Sequence, residues 1–228
     1  MNFFNQAFMC RHPLLIPIFC FICVISVAQN EFDKEKAYTL AITQRAERIV
    51  KGMHLSDSAT ASGVRDIIIT QYRNLNDIHT RKEDKINAAE SLKGSHRELY
   101  DVQVKQAENE ANAGLYQLHY DFLSRLMIFL DEEQIESVKD GMTYGILPIT
   151  YKGYCDMIPN LTGAQKSQIM AWLVEAREHA MDAGSSEEKH AWFGKYKGRI
   201  NNYLSAAGYD LKKEGEAWKK RTDEAKKR

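Results

Sequence analysis

Cysteine and proline are both scarce in this 228-residue chain. Three of its four cysteines lie within the first 23 residues, so Cys155 is alone in the rest of the sequence. One cysteine cannot form an internal disulfide, which excludes a fold stabilised by disulfides. We expect Cys155 to be a small buried thiol. After residue 28 the prolines are Pro148 and Pro159, so none interrupts a helix between residues 33 and 147.

An excess of charge of one sign is also lacking, because 31 Lys and Arg residues balance 31 Asp and Glu residues. This balance disfavours nucleic acid and acidic membrane surfaces as partners. The sequence contains no glycine-rich phosphate loop, nucleophile elbow or dinucleotide fingerprint. No cofactor is therefore predicted.

The N-terminal segment has the features of a secretory signal. Arg11 and His12 precede an uncharged run from Leu14 to Val27, and Ser26-Val27-Ala28 provides a small-residue cleavage site. The run is short for a bilayer span, and polar residues follow it at once. We therefore predict a signal peptide over residues 1–28, no membrane insertion after its cleavage, and a periplasmic or secreted location.

Apolar residues recur at helical spacing through most of residues 29–228, which predicts an all-α fold. We expect a single helical-bundle domain of about six to seven helices. Leu130-Asp131 and Leu161-Thr162 each open a segment in which a capping side chain precedes a glutamine by three residues, the pattern of a helix start. Residues 145–160 contain both prolines and are predicted to form an ordered loop. The very polar residues 80–110 are predicted to form a solvated face or a mobile arm.

The segment from Lys189 to Gly208 carries the functional prediction. Its inward, apolar face is predicted to contain Phe193, Tyr196, Ile200, Tyr203 and Ala207. A neighbouring stripe combines an aromatic ring, two cations and an amide, in Trp192, Lys195, Arg199 and Asn202. A third stripe is small: Gly194, Gly198, Asn201 and Ser205. Each interior glycine costs roughly 1 kcal/mol of helix stability, so we expect a second helix or a ligand to lie over the glycines.

Three runs of sequence resemble the secreted domain-of-unknown-function family 3826. They are VKDGMTYG at residues 138–145, LTGAQ at residues 161–165, and the run from Ala176 to Asp210. The resemblance covers nearly all of the chain after the signal peptide. It implies sugar binding and an association with bacterial polysaccharide-utilisation systems, and it transfers no catalytic residue. The run beginning at Leu161 is also similar to the LTxxQ motif of Spy-type periplasmic chaperones.

Sugars are bound by aromatic rings under their C–H faces and by planar polar groups that pair with their hydroxyls. The stripe on the Lys189–Gly208 helix offers both, and the 145–160 loop could bring two tyrosines to it. The predicted ligand-binding residues are Trp192, Lys195, Tyr196, Arg199, Asn201, Asn202, Tyr144 and Tyr151. The predicted protein is a non-enzymatic accessory protein that binds a plant-type or other polysaccharide or oligosaccharide.

Three alternatives remain open from the sequence. A Spy-like chaperone would expose an apolar or basic face to unfolded clients. A glycan-active enzyme could use Asp140 and Asp156, whose separation would decide between retaining and inverting chemistry. A metal site could be built from Glu175, His179 and Asp182, but it lacks the second histidine that is usual in catalytic zinc sites, so no metal is predicted.

Overall fold

The computed structural model describes the backbone of residues 18–226 and the side chains of residues 32–226. Within these residues the regular elements are eight α-helices and one 3-10 turn. The helices are α1 (Ile18–Gly52), α2 (Ser58–Ala89), α3 (Arg97–Leu126), α4 (Glu132–Met142), α5 (Ile146–Met157), α6 (Gly163–Met181), α7 (Ser186–Ala206) and α8 (Leu211–Lys226). The predicted all-α fold is confirmed, with more helices than the six to seven expected.

The signal peptide predicted over residues 1–28 lies outside the residues whose side chains are described, and its first 17 residues lie outside the description altogether. It therefore stays a prediction. A span long and apolar enough to cross a lipid bilayer is not found among the helices that are described.

The chain divides into two compact units after Ile42. In the first, residues 1–42, the described part belongs to α1, where the hydroxyl of Thr39 donates a hydrogen bond to the Glu35 carboxylate at 3.0 Å. The second unit, residues 43–228, contains the end of α1 and helices α2 to α8. All the sites discussed below lie in this second unit.

Helices α2 and α3 form a long antiparallel hairpin that is joined by the 3-10 turn Glu90–Leu92. The two helices approach closely because small residues face α2 along α3. Ala107 and Ala111 are buried, and a side chain on Gly114 would meet Ile78 at 3.4 Å. The polar residues 80–110 are thus the solvated outer part of a regular hairpin and not a mobile arm.

Two apolar cores hold the second unit together. One joins α2, α3 and α4 through residues such as Ile68, Phe122 and Val138. The other joins α5, α6 and α7, and Leu173, Phe193 and ten further residues are buried in it. The second core positions the surface of α6 and α7 on which the functional prediction depends.

Both predicted capping boxes are confirmed. Asp131 accepts a hydrogen bond from the backbone N–H of Gln134 at 2.8 Å, and the Gln134 side chain accepts one from the Asp131 N–H at 3.0 Å. Thr162 and Gln165 make the same reciprocal pair at the start of α6. Such boxes satisfy amide groups that would otherwise have no partner, so they fix where α4 and α6 begin.

The loop predicted over residues 145–160 is wrong, because most of it is helix α5 (Ile146–Met157). Gly145 caps this helix in the left-handed conformation with φ +64°. Pro148 is the third residue of the helix, where no intrahelical acceptor exists for a backbone N–H, so proline is tolerated. Pro159 follows the helix and does not interrupt it.

Candidate functional site

Helix α7 is unbroken from Ser186 to Ala206, as the sequence predicts. Ser185 caps it by accepting a hydrogen bond from the Glu188 N–H at 3.1 Å. At its end Gly208 adopts φ +93°, and the Tyr209 N–H bonds the Leu204 carbonyl at 3.1 Å. This is the Schellman ending that glycine favours.

The inward face of α7 is largely as predicted, since Phe193, Tyr196 and Ile200 are buried. Ala207 is an exception: it is exposed because it is the C-cap residue, beyond the last helical turn. Leu204 is buried instead and completes the face.

Beside this face, α6 and α7 together present a row of aromatic and charged side chains, which we call the α6–α7 face. It comprises Trp172, Glu175 and His179 from α6 and Trp192, Lys195 and Arg199 from α7. The sequence predicts the three α7 members, but the α6 members were missed as part of this site. Their spacing of three and four residues is the signal that could have found them.

Trp192 lies at one end of the α6–α7 face. Its ring stacks on His179, with the centroids 4.3 Å apart and the planes 14° from parallel. The Lys195 ammonium is 4.9 Å from the centre of the same Trp192 ring. Trp192 also borders an open depression of about 260 Å³, together with Glu188, Ala191 and Lys195. A partly exposed indole therefore lies beside an anion and a cation.

Arg199 and Trp172 occupy the other end of the face. The guanidinium lies 4.7 Å from the centre of the Trp172 ring, in cation–π geometry, and 3.7 Å from the Glu175 carboxylate. The Trp172 ring meets Tyr203 edge-on at 5.3 Å. Trp192 and Arg199 thus project from one continuous helix, and both remain in contact with solvent.

Other predicted site residues are placed differently. Tyr196 is only 5% exposed and belongs to the core; burial, with a hydrogen bond to Glu175, raises its pKa to about 12. Asn201 is already engaged, because its Oδ1 accepts a hydrogen bond from the Tyr154 hydroxyl at 2.7 Å. Asn202 is exposed on the predicted stripe.

The two other predicted tyrosines, Tyr144 just before the 145–160 segment and Tyr151 within it, do not join Trp192. Tyr144 does reach α7, where its ring stacks on His190 at 5.6 Å and 8°. His190 and Trp192 are two residues apart, so they point about 200° apart around the helix. Tyr151 is partly buried on α5, with its hydroxyl beside Cys155. The site predicted from the sequence is therefore divided between separate surfaces.

Among the residues that the structure describes, no helix packs over the two glycines of the small stripe of α7. A side chain added at Gly194 or at Gly198 would find nothing within 4 Å among the residues described. Packing therefore does not offset the stability that these glycines cost.

The three residues of the metal alternative, Glu175, His179 and Asp182, do not converge on one site. His179 stacks on Trp192 and Glu175 faces Arg199, whereas Asp182 bonds His119 at 2.9 Å. Over residues 32–226, no three His, Cys, Asp or Glu side chains converge as metal ligands would.

The two carboxylates proposed for glycoside cleavage are each paired with a different base. Asp140 bonds Arg177 at 2.7 Å, and Asp156 pairs with Lys152 one turn away on α5. Nothing in these contacts brings the two carboxylates to one cleft.

A charge cluster centred on a buried arginine lies between α3, α4 and α6 and was not predicted from the sequence. At its centre is Arg177, which is 2% exposed and pairs with Asp140, Glu136 and Glu178. Lys139 adds a contact to Glu178 at 3.3 Å. The signal for this cluster was the spacing of charges on α4, at positions 136, 139 and 140, which places them on one helical face.

His119 extends this cluster to α3. Its Nδ1 lies 2.9 Å from the Asp182 carboxylate and its Nε2 lies 3.4 Å from that of Glu178. Hydrogen bonds to Asp182 and Glu178 raise its pKa to about 9 against the effect of burial, so the imidazole is charged at neutral pH. Burial opposes ionisation of Glu178, but His119 and the charges of Lys139 and Arg177 lower its pKa to about 2. The cluster pairs three cations with four carboxylates and joins α3, α4 and α6.

A comparison with curated proteins finds no match. A family described as "Protein of unknown function (DUF3826)" matches residues 39–223, which include α2 to α7 and the entire α6–α7 face. The chain belongs to this family.

Proposed function

We propose that this chain is an exported, non-enzymatic carbohydrate-binding protein, and that the α6–α7 face is its binding surface. The observation that supports this most is the position of Trp192. Its indole is partly exposed at the edge of a depression that also contains Glu188 and Lys195. An aromatic ring beside polar groups matches a pyranose, which has a C–H face and a rim of hydroxyls.

The geometry of Trp192 favours binding because the ring is held in place before a ligand arrives. His179 lies flat against it at 4.3 Å, so little side-chain freedom is lost on association. Lys195 is exposed and on a long side chain, so it can leave the ring and bond a hydroxyl instead.

The charges of the face favour a neutral, hydroxyl-rich ligand. Lys195 and Arg199 of the face are matched by Glu175 of the face and by Glu188 in the adjoining depression, so the charges of this surface cancel. Carboxylates accept and guanidinium groups donate hydrogen bonds, and a sugar hydroxyl can do both.

Export and a role in polysaccharide utilisation rest on the N-terminal sequence and on the family resemblance. Export is tested by sequencing the N-terminus of the protein recovered outside the cytoplasm. We expect that N-terminus to be Gln29.

Binding is tested by screening the protein from residue 29 onward on a glycan array and then measuring the affinity for the best oligosaccharide by calorimetry. Trp192→Ala should weaken binding roughly tenfold, since the lost aromatic contact corresponds to about 1.5 kcal/mol. The matched control is Trp218→Ala, which removes a 38% exposed tryptophan on α8. Equal affinity of the wild type and Trp192→Ala, with both proteins folded by circular dichroism, would remove this assignment.

A second candidate function, that of a chaperone, is favoured by large apolar side chains exposed on α3 and just after it. Met127 and Ile128, which follow α3, are 71% and 75% exposed, and Tyr116 on α3 is 67% exposed. The protein would then suppress aggregation of a denatured client, and Met127→Ser with Ile128→Ser would abolish that effect without changing glycan binding. The similarity to the LTxxQ motif does not strengthen the case for a chaperone, because Thr162 and Gln165 form the capping box of α6.

A further inference from the structure

A second concave surface lies away from the α6–α7 face, and we call it the Arg45 depression. It is an open hollow of about 280 Å³ between α1, α2 and the end of α4. Its lining consists of Arg45, Arg48, Ile49, Tyr72, Gly141 and Tyr144. Of these lining residues, only Tyr144 was among the ligand-binding residues predicted from the sequence.

Two guanidinium groups face this hollow from one side of α1. Arg45 and Arg48 are three residues apart, which places them next to each other on the helix surface. Arg48 donates one hydrogen bond, from Nε to the Gln44 carbonyl at 3.3 Å. Among the residues that the structure describes, neither arginine forms an ion pair with a carboxylate.

The floor of the depression depends on a close contact between helices. At Gly141 on α4, an added Cβ would lie 2.8 Å from Ile49 Cγ1 on α1. Only glycine allows this approach, which brings the arginines of α1 near the end of α4.

Tyr144 is held at the edge of the depression in an unusual conformation. It adopts φ +60°, and Gly145 after it adopts φ +64°, so two successive residues are left-handed. This conformation is unfavourable for tyrosine and is found most often where a site requires it. Stacking on His190 keeps the ring in place.

A third cation lies near the two arginines. Lys189 is buried and donates hydrogen bonds to the carbonyls of Ala180 and Met181. Burial, together with the positive charge of Arg45, lowers its pKa to about 8 against the opposing charge of Asp182. The acidic neighbour of Gly141, Asp140, is already bonded to Arg177 at 2.7 Å. The lining of the depression therefore contains two cations and no carboxylate, in a chain whose net charge is zero.

We infer that the Arg45 depression binds an oxyanion group, a carboxylate or a sulfate ester, carried by a small molecule or by one sugar unit. Two neighbouring guanidinium forks are suited to bidentate bonds with such groups, and the Tyr144 hydroxyl is a further donor. The volume is at the lower limit of small-molecule pockets, which fits one sugar-sized unit and not a folded partner. Because His190 and Trp192 point to different sides of α7, this site is independent of binding at Trp192.

The test measures binding of three probes to the protein from residue 29 onward at low salt: sulfate, glucuronate and glucose. We expect wild type to bind the two anions and not glucose. Arg45→Gln and Arg48→Gln should each weaken anion binding about tenfold or more, as loss of a charged hydrogen bond does. The matched control is Lys51→Gln, which removes an exposed charge from the same helix outside the depression and should change affinity less than about twofold.

Tyr144→Phe gives a second test, because it keeps the stacked ring and removes one donor; it should weaken anion binding without unfolding the protein. Tighter binding of glucuronate assigns the carboxylate, and tighter binding of sulfate assigns the ester. Trp192→Ala should leave both affinities unchanged, so failure of the proposed glycan site would not affect this result. Absence of anion binding by wild type, or equal weakening in Lys51→Gln and Arg45→Gln, would overturn the inference.

Discussion

Replacing His119 by glutamine should destabilise the protein in a way that depends on pH. The imidazole is buried between the carboxylates of Glu178 and Asp182, with 13% of its side chain exposed. These two partners raise its pKa from 6.5 to about 9. Because the difference is between two and three pH units, it corresponds to about 3 kcal/mol of stability.

The direction follows from a pKa that is higher in the folded state. The contribution of His119 is fully present below its unfolded pKa of 6.5, falls as pH rises, and is lost as pH passes about 9. Urea unfolding followed by circular dichroism should therefore show a difference of about 3 kcal/mol between wild type and His119→Gln near pH 6. The difference should be much smaller near pH 10. Lys189, whose pKa is about 8, also loses its charge over this range, but it does so in both proteins.

His96→Gln is the matched control, because His96 is exposed at the tip of the α2–α3 hairpin and its replacement should change stability by less than about 0.5 kcal/mol. A loss in His119→Gln that is equal at both pH values would indicate lost packing and not lost charge. An NMR titration that places the pKa of His119 near 6.5 would refute the reasoning directly.

Three further predictions concern other positions in the same unit. Gly141→Ala should destabilise by about 1–3 kcal/mol, because its Cβ would meet Ile49 Cγ1 at 2.8 Å. Gly194→Ala should raise the free energy of unfolding by roughly 0.5–1 kcal/mol, since no described atom lies within 4 Å of the added Cβ. A lower free energy of unfolding in this variant would show that another group covers the position. Arg177→Leu should cost about 3 kcal/mol or more in urea unfolding, because Glu136, Asp140 and Glu178 lose a buried cation. Unchanged stability would mean that the ion pairs contribute nothing net.

Local chemistry allowed much of the fold to be predicted. The capping boxes at Asp131 and Thr162 act over three residues, so the sequence shows them directly. The apolar periodicity of α7 is equally local and predicted its buried face, except at Ala207, where the helix has already ended. The loop expected near Pro148 was wrong because proline forbids only the interior of a helix, and the cap at Gly145 sets where that interior begins.

The candidate site was predicted less well because it depends on contacts between distant segments. Pairing of His179 with Trp192 requires the turn between α6 and α7, and the position of Tyr144 depends on its φ of +60°. The sequence gives neither the turn geometry nor that dihedral angle. Arg177 was missed because a charged residue in a polar stretch is expected at the surface, whereas here three carboxylates balance its burial.

The most direct test of the central claim is the NMR spectrum of the tryptophan indoles during titration with the oligosaccharide selected on the array. The chain has three tryptophans, which give three separable indole N–H signals. Binding at the α6–α7 face predicts that the signal of Trp192 shifts with saturation while that of Trp218 does not move. A saturable shift confined to Trp218, or no shift of Trp192 at a ligand concentration that saturates binding by calorimetry, would contradict the assignment of this surface.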